Sequence, residues 1–384
     1  MEMRTSIFEI SPRYVLYYYS DKLYLSDTMD GFGDCCLNQV EEDIVLQINL
    51  LHNLIDVWDA LKNEYQISED DEAKALFESY ITNLTQRGII RSGNNTYPVV
   101  GKKGFCYPII TTVELTSKCN FECLHCYKEA GYKGGCFIET DLAIRALKAL
   151  EGKTWQVEFT GGEALMHPDF EKIIQAVNFP SMVLLTNGSL LDHISLSTLK
   201  RFSSIQISMY GSSAAEYRKY ALSDTFERVC QNIKMLTREN IDVTIAIILR
   251  KSNFLRLDDY VSQIEEMGVK YVRFGLTRKI GRNETCSDEW VMTYDDCCRF
   301  DVELELLKSK YPGIEFEDLN WKGDFIDRNK ATPSIKLKCT AGKKQIVLSE
   351  KGIIRPCVLL PAEYFGKFTW DEYINTNEKK KSIC

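Results

Sequence analysis

Apolar and polar positions alternate in short runs at the start of the chain, and the rhythm changes near residue 100. Tyr14 to Tyr19 and Lys22 to Leu25 flank a Ser20-Asp21 turn and read as two strands, with Asp43 to Ile48 as a third. Helical spacing follows. Leu51, Ile55, Trp58 and Leu61 share one face, and Ala75, Phe77, Ile81 and Leu84 share another. Gly88 then stops the helix before Ile89-Ile90, a short strand. Residues 1–100 are therefore expected to form a small winged-helix-like α+β module, punctuated at its end by Asn94-Asn95 and Gly101 to Gly104.

From about residue 105 a strand, a loop and a helix repeat. Strand cores are expected at Ile109 to Leu115, Gln156 to Phe159, Met182 to Leu185, Ile205 to Met209, Val243 to Leu249 and Tyr271 to Phe274. Amphipathic stretches separate them: Leu142 to Leu150, Asp169 to Val177, Leu196 to Phe202, Phe226 to Leu236 and Leu257 to Met267, with Thr293 to Leu307 after the sixth strand. That order predicts an α/β fold with a parallel sheet and right-handed crossovers, curved toward a barrel over residues 105–312. In such folds chemistry gathers at the C-terminal ends of the strands. The last zone, 313–384, is polar with aromatics. Gln345 to Ser349 and Ile353 to Cys357 flank Glu350-Lys351-Gly352 as a hairpin with a cysteine at its exit.

Composition adds exclusions. With 384 residues, 45% hydrophobic and 27% charged, the chain is ordinary globular material for two or three domains. Residues 1–100 carry 7 Lys+Arg against 17 Asp+Glu, and the remainder 40 against 38, so the front end holds the whole net charge of −8 and more. An acidic module lacks the basic face that nucleic-acid binding needs. No apolar run approaches a membrane span, and the N-terminus lacks a signal-peptide core, so a cytoplasmic protein is expected. In a reducing compartment, 14 cysteines point to metal or redox chemistry before disulfides.

The sharpest motif is Cys119-Asn-Phe-Glu-Cys123-Leu-His-Cys126, directly after the first strand of the repeat. Three thiolates in eight residues can wrap one face of a compact cluster, while a tight loop turns backbone N–H groups toward the sulfurs. A cubane held by three thiolates leaves one iron open. The competing reading is a zinc loop that borrows His125 or a distant cysteine as its fourth ligand.

This loop resembles that of the radical S-adenosylmethionine (SAM) superfamily, whose partial (β/α)6 TIM-like barrel matches the six units above. Thr160-Gly161-Gly162-Glu163 after strand two is similar to the family's GGE[P] segment, with Ala164 in place of proline. Its glycines permit close backbone approach to a ligand, and Glu163 offers a carboxylate to an ammonium. Asn187, in Thr186-Asn187-Gly188 after strand three, and Ser208, in Ser208-Met-Tyr-Gly211 after strand four, resemble further SAM-lining positions. Arg218 resembles the arginine that meets the SAM carboxylate, and His125 stands where the family often has an aromatic near the adenine. The resemblance implies a [4Fe-4S] cluster on Cys119, Cys123 and Cys126 that passes an electron to bound SAM. Cleavage then gives a 5′-deoxyadenosyl radical, which abstracts hydrogen from a substrate. It also implies a flavodoxin- or ferredoxin-type electron donor.

The spacing Cys339-x12-Gly352-x4-Cys357, with Gly281-Arg282 as lead-in, resembles the opening of the SPASM/Twitch extension that binds auxiliary iron–sulfur clusters. The further cysteine group of that pattern is missing, and only Cys384 could begin it. Either the chain stops inside the motif, or one auxiliary [4Fe-4S] cluster is expected on Cys339, Cys357 and a third thiolate, with Cys384, Cys286, Cys297 and Cys298 as candidates for the third. Cys35, Cys36, Cys106, Cys136 and Cys230 are expected to be structural. The front module resembles the PqqD-like recognition element of enzymes that mature ribosomally made, modified peptides (RiPPs). An edge strand at Asp43 to Ile48 would then accept a precursor's leader as an added strand.

These resemblances imply a radical SAM peptide maturase in three parts: leader-binding residues 1–100, a radical core at 105–312 and an iron–sulfur extension at 313–384. Its expected product is an intrapeptide thioether, made with the substrate's thiolate on the auxiliary cluster's open iron. Carbon–carbon crosslinking, epimerisation and side-chain oxidation of the sulfatase-maturing kind are the alternative reactions. A zinc or iron–sulfur winged-helix regulator is the non-enzymatic one.

Overall fold

A computed structural model describes residues 7–28, 33–68, 71–285, 290–317, 319, 321, 341–359 and 368–379. The chain divides into two compact units.

The first unit is built mainly from the N-terminal residues, 1–109. Strands β1 (Phe8–Ile10), β2 (Tyr14–Tyr19), β3 (Lys22–Asp27) and β4 (Gly33–Cys36) precede helices α1 (Gln39–Leu51), α2 (Leu54–Tyr65) and α3 (Asp71–Gln86). β5 (Ile90–Ser92) returns to pair with β1, and β6 (Val99–Val100) pairs with β2. The larger sheet runs β4-β3-β2-β6. Ser20, at φ 55°, turns β2 into β3, as the hairpin signal requires.

The expected third strand, Asp43 to Ile48, is instead the middle of α1. Two facts decide this. Asn38 and Glu41 form a reciprocal capping box at 3.0 and 2.8 Å, and Ile44, Val45 and Ile48 are buried together at helical spacing. The third strand is β4, and its outer side has no partner strand among the described residues. α2 is likewise rotated from the expected face: Leu54, Val57 and Leu61 are buried while Ile55 is exposed, because the chain breaks at His52 and Asn53 re-caps it.

The second unit contains the strand–helix repeat: β7 (Ile110–Thr116), α4 (Thr140–Leu150), β8 (Gln156–Gly161), α5 (Phe170–Ala176), β9 (Ser181–Thr186), α6 (Leu196–Leu199), β10 (Ser204–Met209), α7 (Ala214–Ala221), α8 (Phe226–Arg238), β11 (Val243–Leu249), α9 (Leu257–Glu266), β12 (Tyr271–Leu276) and α10 (Tyr294–Lys310). All six expected strands form, in sequential parallel order from β7 to β12. In β11 Val243, Ile245, Ile247 and Leu249 are buried and the intervening residues half-buried, whereas β7 is buried on both faces from Thr111 to Thr116. This is the partial barrel expected from the sequence. β13 (Glu315–Phe316) adds a seventh parallel strand beside β12.

The C-terminal hairpin also forms, as β14 (Gln345–Leu348) and β15 (Ile354–Arg355), followed by α11 (Trp370–Lys379). It is not freestanding. β14 pairs in parallel with β7, so the hairpin extends the barrel sheet beside its first strand. No helix among the described residues is long and apolar enough to cross a membrane.

Candidate metal centre

β7 ends at Thr116 and delivers the chain to the cysteine loop. Thr116 Oγ1 donates to Cys136 O at 2.8 Å and accepts from Lys118 N at 2.9 Å, and Cys119 N donates to Gly131 O at 3.0 Å. These bonds close the loop's base. Cys119 and Cys123 are buried and Cys126 is half-buried. The Cys119 sulfur accepts the Phe121 N–H at 3.4 Å, two residues on, and the Asn187 amide reaches it at 3.9 Å.

Burial pushes the Cys119 thiol up to about 12, and the nearby Glu163 carboxylate adds to the rise. Cys123 is pushed up to about 12 by burial and then by its two neighbouring thiols. A thiolate here needs positive charge, which a polynuclear iron core supplies. Among the described residues no three His, Cys, Asp or Glu side chains converge to hold one ion. A cubane asks for less convergence, since each thiolate takes a different iron. A sulfur set with N–H donors in a shielded loop fits a cluster.

The GGE segment leaves β8 and packs on that loop. A Cβ on Gly161 would lie 2.2 Å from Thr116 O, and one on Gly162 would lie 2.1 Å from Lys118 O. Gly162 N donates to Thr116 O at 2.7 Å and Glu163 N to Lys118 O at 2.8 Å. What the glycines let approach is thus the loop's own backbone. Glu163 is fully buried. Its Oε1 accepts from Thr186 Oγ1 at 2.8 Å and Leu165 N at 3.2 Å, and its Oε2 from Asn187 N at 2.7 Å. Burial pushes the Glu163 carboxyl up, and these donors pull it back. A carboxylate has about four acceptor positions, so one remains for an incoming ammonium.

Asn187 completes a polar web at the exit of β9. Its amide donates to Asn120 Oδ1 at 2.8 Å, and its Oδ1 accepts Ser189 N and Oγ at 2.9 and 2.7 Å. Ser208 stands half-buried on β10, two residues before Tyr210. Tyr210 packs against Phe121, Tyr217 and His125. His125 is held neutral, pulled down to about 3 by burial and by the charges of Arg250 and Arg282, and its buried Nδ1 has no partner among the described residues.

Arg218 is not brought to this site. It lies on α7 with its side chain 67% exposed, paired with Asp224. Helical direction explains the difference: Tyr217 and Tyr220 face inward, which turns the residue between them to solvent. The sequence reading missed Arg250, fully buried at the exit of β11. Its guanidinium sits 3.7 Å from the Tyr220 ring centre, donates to Tyr210 O at 3.3 Å and pairs with Glu216 at 3.6 Å. An arginine one residue past a strand core was its only signal. Gly281-Arg282 braces the loop's far end. Gly281 has φ 60° and a Cβ there would lie 2.6 Å from Cys126 O, while Arg282 N donates to that oxygen at 3.0 Å.

Of the auxiliary candidates, Cys357 is described, and Cys339, Cys384 and Cys286 lie outside the described residues. The Cys357 sulfur accepts the Leu359 N–H at 3.4 Å, the same two-residue turn that cradles Cys119. Cys297 is buried in α10 and Cys298 is exposed on it, as packing and surface residues are. Cys106, expected to be structural, is disulfide-bonded.

Comparison with known proteins agrees with this geometry. Residues 113–254 match the Radical SAM superfamily profile. The chain is 26% identical over 321 residues to the subtilosin biosynthesis protein AlbA of Bacillus subtilis, covering 80% of this chain and 69% of AlbA. It is 24% identical over 322 residues to the sporulation killing factor maturation protein SkfB of the same organism, covering 80% and 73%. The crystal structure of Streptococcus suis SuiB bound to precursor peptide SuiA shares the fold, with TM-score 0.65 and 12% identity over 96% of this chain and 88% of that one.

Proposed function

Residues 113–254 belong to the radical SAM superfamily, and from that premise we propose that the chain is a peptide maturase that closes a thioether within a ribosomally made precursor. The observation that carries this is the three-cysteine loop at the mouth of the half-barrel, locked by the GGE segment, in a chain similar across most of its length to AlbA and SkfB. When bound, the cluster and SAM supply a 5′-deoxyadenosyl radical that removes a hydrogen atom from the peptide. The chain's residues do the holding. Cys119, Cys123 and Cys126 ligate the cluster, and Glu163 offers its remaining lone pair to the SAM ammonium. Gly161 and Gly162 shape that turn, and Asn187 and Ser208 present short hydrogen-bonding groups beside it. The aromatic wall of Phe121, Tyr210 and Tyr217 keeps water from the loop.

Cys357, with Cys339 and Cys384, would hold an auxiliary cluster, and such a cluster would supply a coordination position for the substrate's thiolate. Thioether closure breaks one S–H and one C–H bond and forms one C–S bond. The hydrogen atom would leave with the radical and the thiol proton with solvent, and an auxiliary cluster held by these cysteines would supply a one-electron acceptor for the remaining electron. A flavodoxin- or ferredoxin-type donor would feed the first cluster in the cytoplasm. Four protein ligands on the auxiliary cluster would remove the basis for thiolate binding.

Residues 1–100 would bind the leader as a strand added to the outer side of β4, which has no partner strand among the described residues. That placement replaces the Asp43 to Ile48 edge, which is helical. A leader with prolines at alternating positions cannot donate to such a ladder. Its affinity for the full chain, measured by fluorescence anisotropy, is expected to fall at least about tenfold. Equal affinity would rule out strand addition.

The decisive assay uses anaerobically reconstituted protein, SAM, dithionite and the precursor encoded beside the gene. The expected result is 5′-deoxyadenosine together with a peptide lighter by a pair of hydrogens and resistant to thiol alkylation. A lighter peptide with a free thiol would indicate carbon–carbon crosslinking, and unchanged mass with inverted stereochemistry would indicate epimerisation. Absence of 5′-deoxyadenosine would return the chain to the regulator reading.

A further inference from the structure

One buried carboxylate joins the two cysteine-bearing segments. Glu114, in β7, is fully buried, and its Oε2 accepts Lys128 Nζ at 2.8 Å and the Arg355 guanidinium. Lys128 stands two residues after Cys126, and Arg355 two residues before Cys357. Both side chains are nearly buried themselves, at 10% and 12% exposure. Lys128 also pairs at 3.4 Å with Glu350, in the hairpin turn.

Backbone pairing does not make this connection. The β7–β14 ladder runs from Ile110↔Gln345 to Val113↔Leu348 and stops one residue before Glu114. β15 pairs with β14, through Val347↔Arg355 and Leu348↔Ile354, and not with β7. Beyond Val113 the exit of β15 is therefore tied to the cluster loop through side chains. A buried ion cluster is a poor source of net stability, because desolvation offsets the attraction. Its directional use is better founded, since a bidentate-capable arginine and a carboxylate fix an orientation.

We propose that Glu114 is a positioning residue that sets the separation and orientation of the two cysteine sites, holding Cys357 over the exit of the Cys126 loop. The proposal rests on the auxiliary-cluster reading above. Without the carboxylate, Lys128 and Arg355 lose the anion they share, Lys128 keeping Glu350 at 3.4 Å, and the short hairpin exit is the part able to swing away.

The test compares reconstituted wild type with Glu114→Gln by electron paramagnetic resonance after dithionite reduction. Added SAM identifies the radical cluster by moving its signal. Glu114→Gln is expected to keep that SAM-responsive signal and to form 5′-deoxyadenosine within about twofold of wild type. Its auxiliary signal should shift, broaden or vanish with one cluster's iron, and modified peptide per 5′-deoxyadenosine should fall about tenfold or more. Arg355→Lys, which keeps the charge and loses the fork, should disturb the auxiliary signal alone, and it decides the matter if Glu114→Gln does not fold. Two unchanged signals in Glu114→Gln, or equal loss of both in Arg355→Lys, would overturn the proposal. A wild-type protein with a single cluster would sink the auxiliary reading, and this inference with it.

Discussion

Gly162→Ala is expected to cost the protein its radical cluster and with it nearly all SAM cleavage. The added Cβ would stand 2.1 Å from Lys118 O and 2.5 Å from Lys118 C, and both are backbone atoms that no rotamer change can remove. The clash falls where Glu163 N donates to that same oxygen at 2.8 Å, so relief of one contact breaks the other. Overpacking with loss of a buried hydrogen bond costs about 3 kcal/mol or more. Because β8 is anchored in the sheet, the displacement falls on the cysteine loop. Iron should drop by one cluster's worth, and 5′-deoxyadenosine formation should fall at least about a hundredfold, or roughly 2.7 kcal/mol of barrier. Gly134→Ala is the control. Gly134, unlike Gly162, has positive φ, at 75°, and nothing lies within 4 Å of its Cβ position, so only backbone strain of about 1 kcal/mol is expected there. Wild-type iron and turnover in Gly162→Ala would show that the segment does not hold the loop.

The barrel was legible because each of its strands is an apolar core followed by a polar turn, and parallel order follows from the intervening helices. The cysteine loop was legible for a different reason: its chemistry is local in sequence. What was not legible depended on distant partners. Asp43 to Ile48 carries a short β-branched apolar run that suits a strand, yet Asn38, five residues upstream, caps a helix and Ile44, Val45 and Ile48 pack together on it. Arg218 matches a motif position, but the burial of Tyr217 and Tyr220 turns it outward to Asp224. Glu114 reads as one polar residue in a strand, and no local pattern announces that Lys128 and Arg355 will meet it. For the same reason Gly161 and Gly162 were correctly singled out on an incomplete ground. Their freedom serves contact with Thr116 and Lys118 before any ligand arrives.

Replacing Cys119, Cys123 and Cys126 together by alanine should separate the two metal sites. Cys119 and Cys123 are shielded thiols raised to about 12 by burial, so alanine removes groups that are costly to ionise and leaves the apolar packing of Phe121 against Tyr210 and Tyr217 in place. The chain should remain folded, by circular dichroism, while 5′-deoxyadenosine formation falls by at least about a thousandfold, over 4 kcal/mol of barrier. Colour should persist. The Cys357 sulfur keeps its own N–H cradle from Leu359, on a hairpin whose hydrogen bonds to β7 do not involve the loop cysteines. Residual iron with a charge-transfer band near that of an iron–sulfur cluster would therefore belong to the C-terminal site, and its signal should not respond to SAM. A colourless triple variant would mean that Cys357 holds no cluster of its own. Zinc as the sole ion in wild-type protein, lost on the triple substitution, would make the loop a structural metal site and leave no route to a radical.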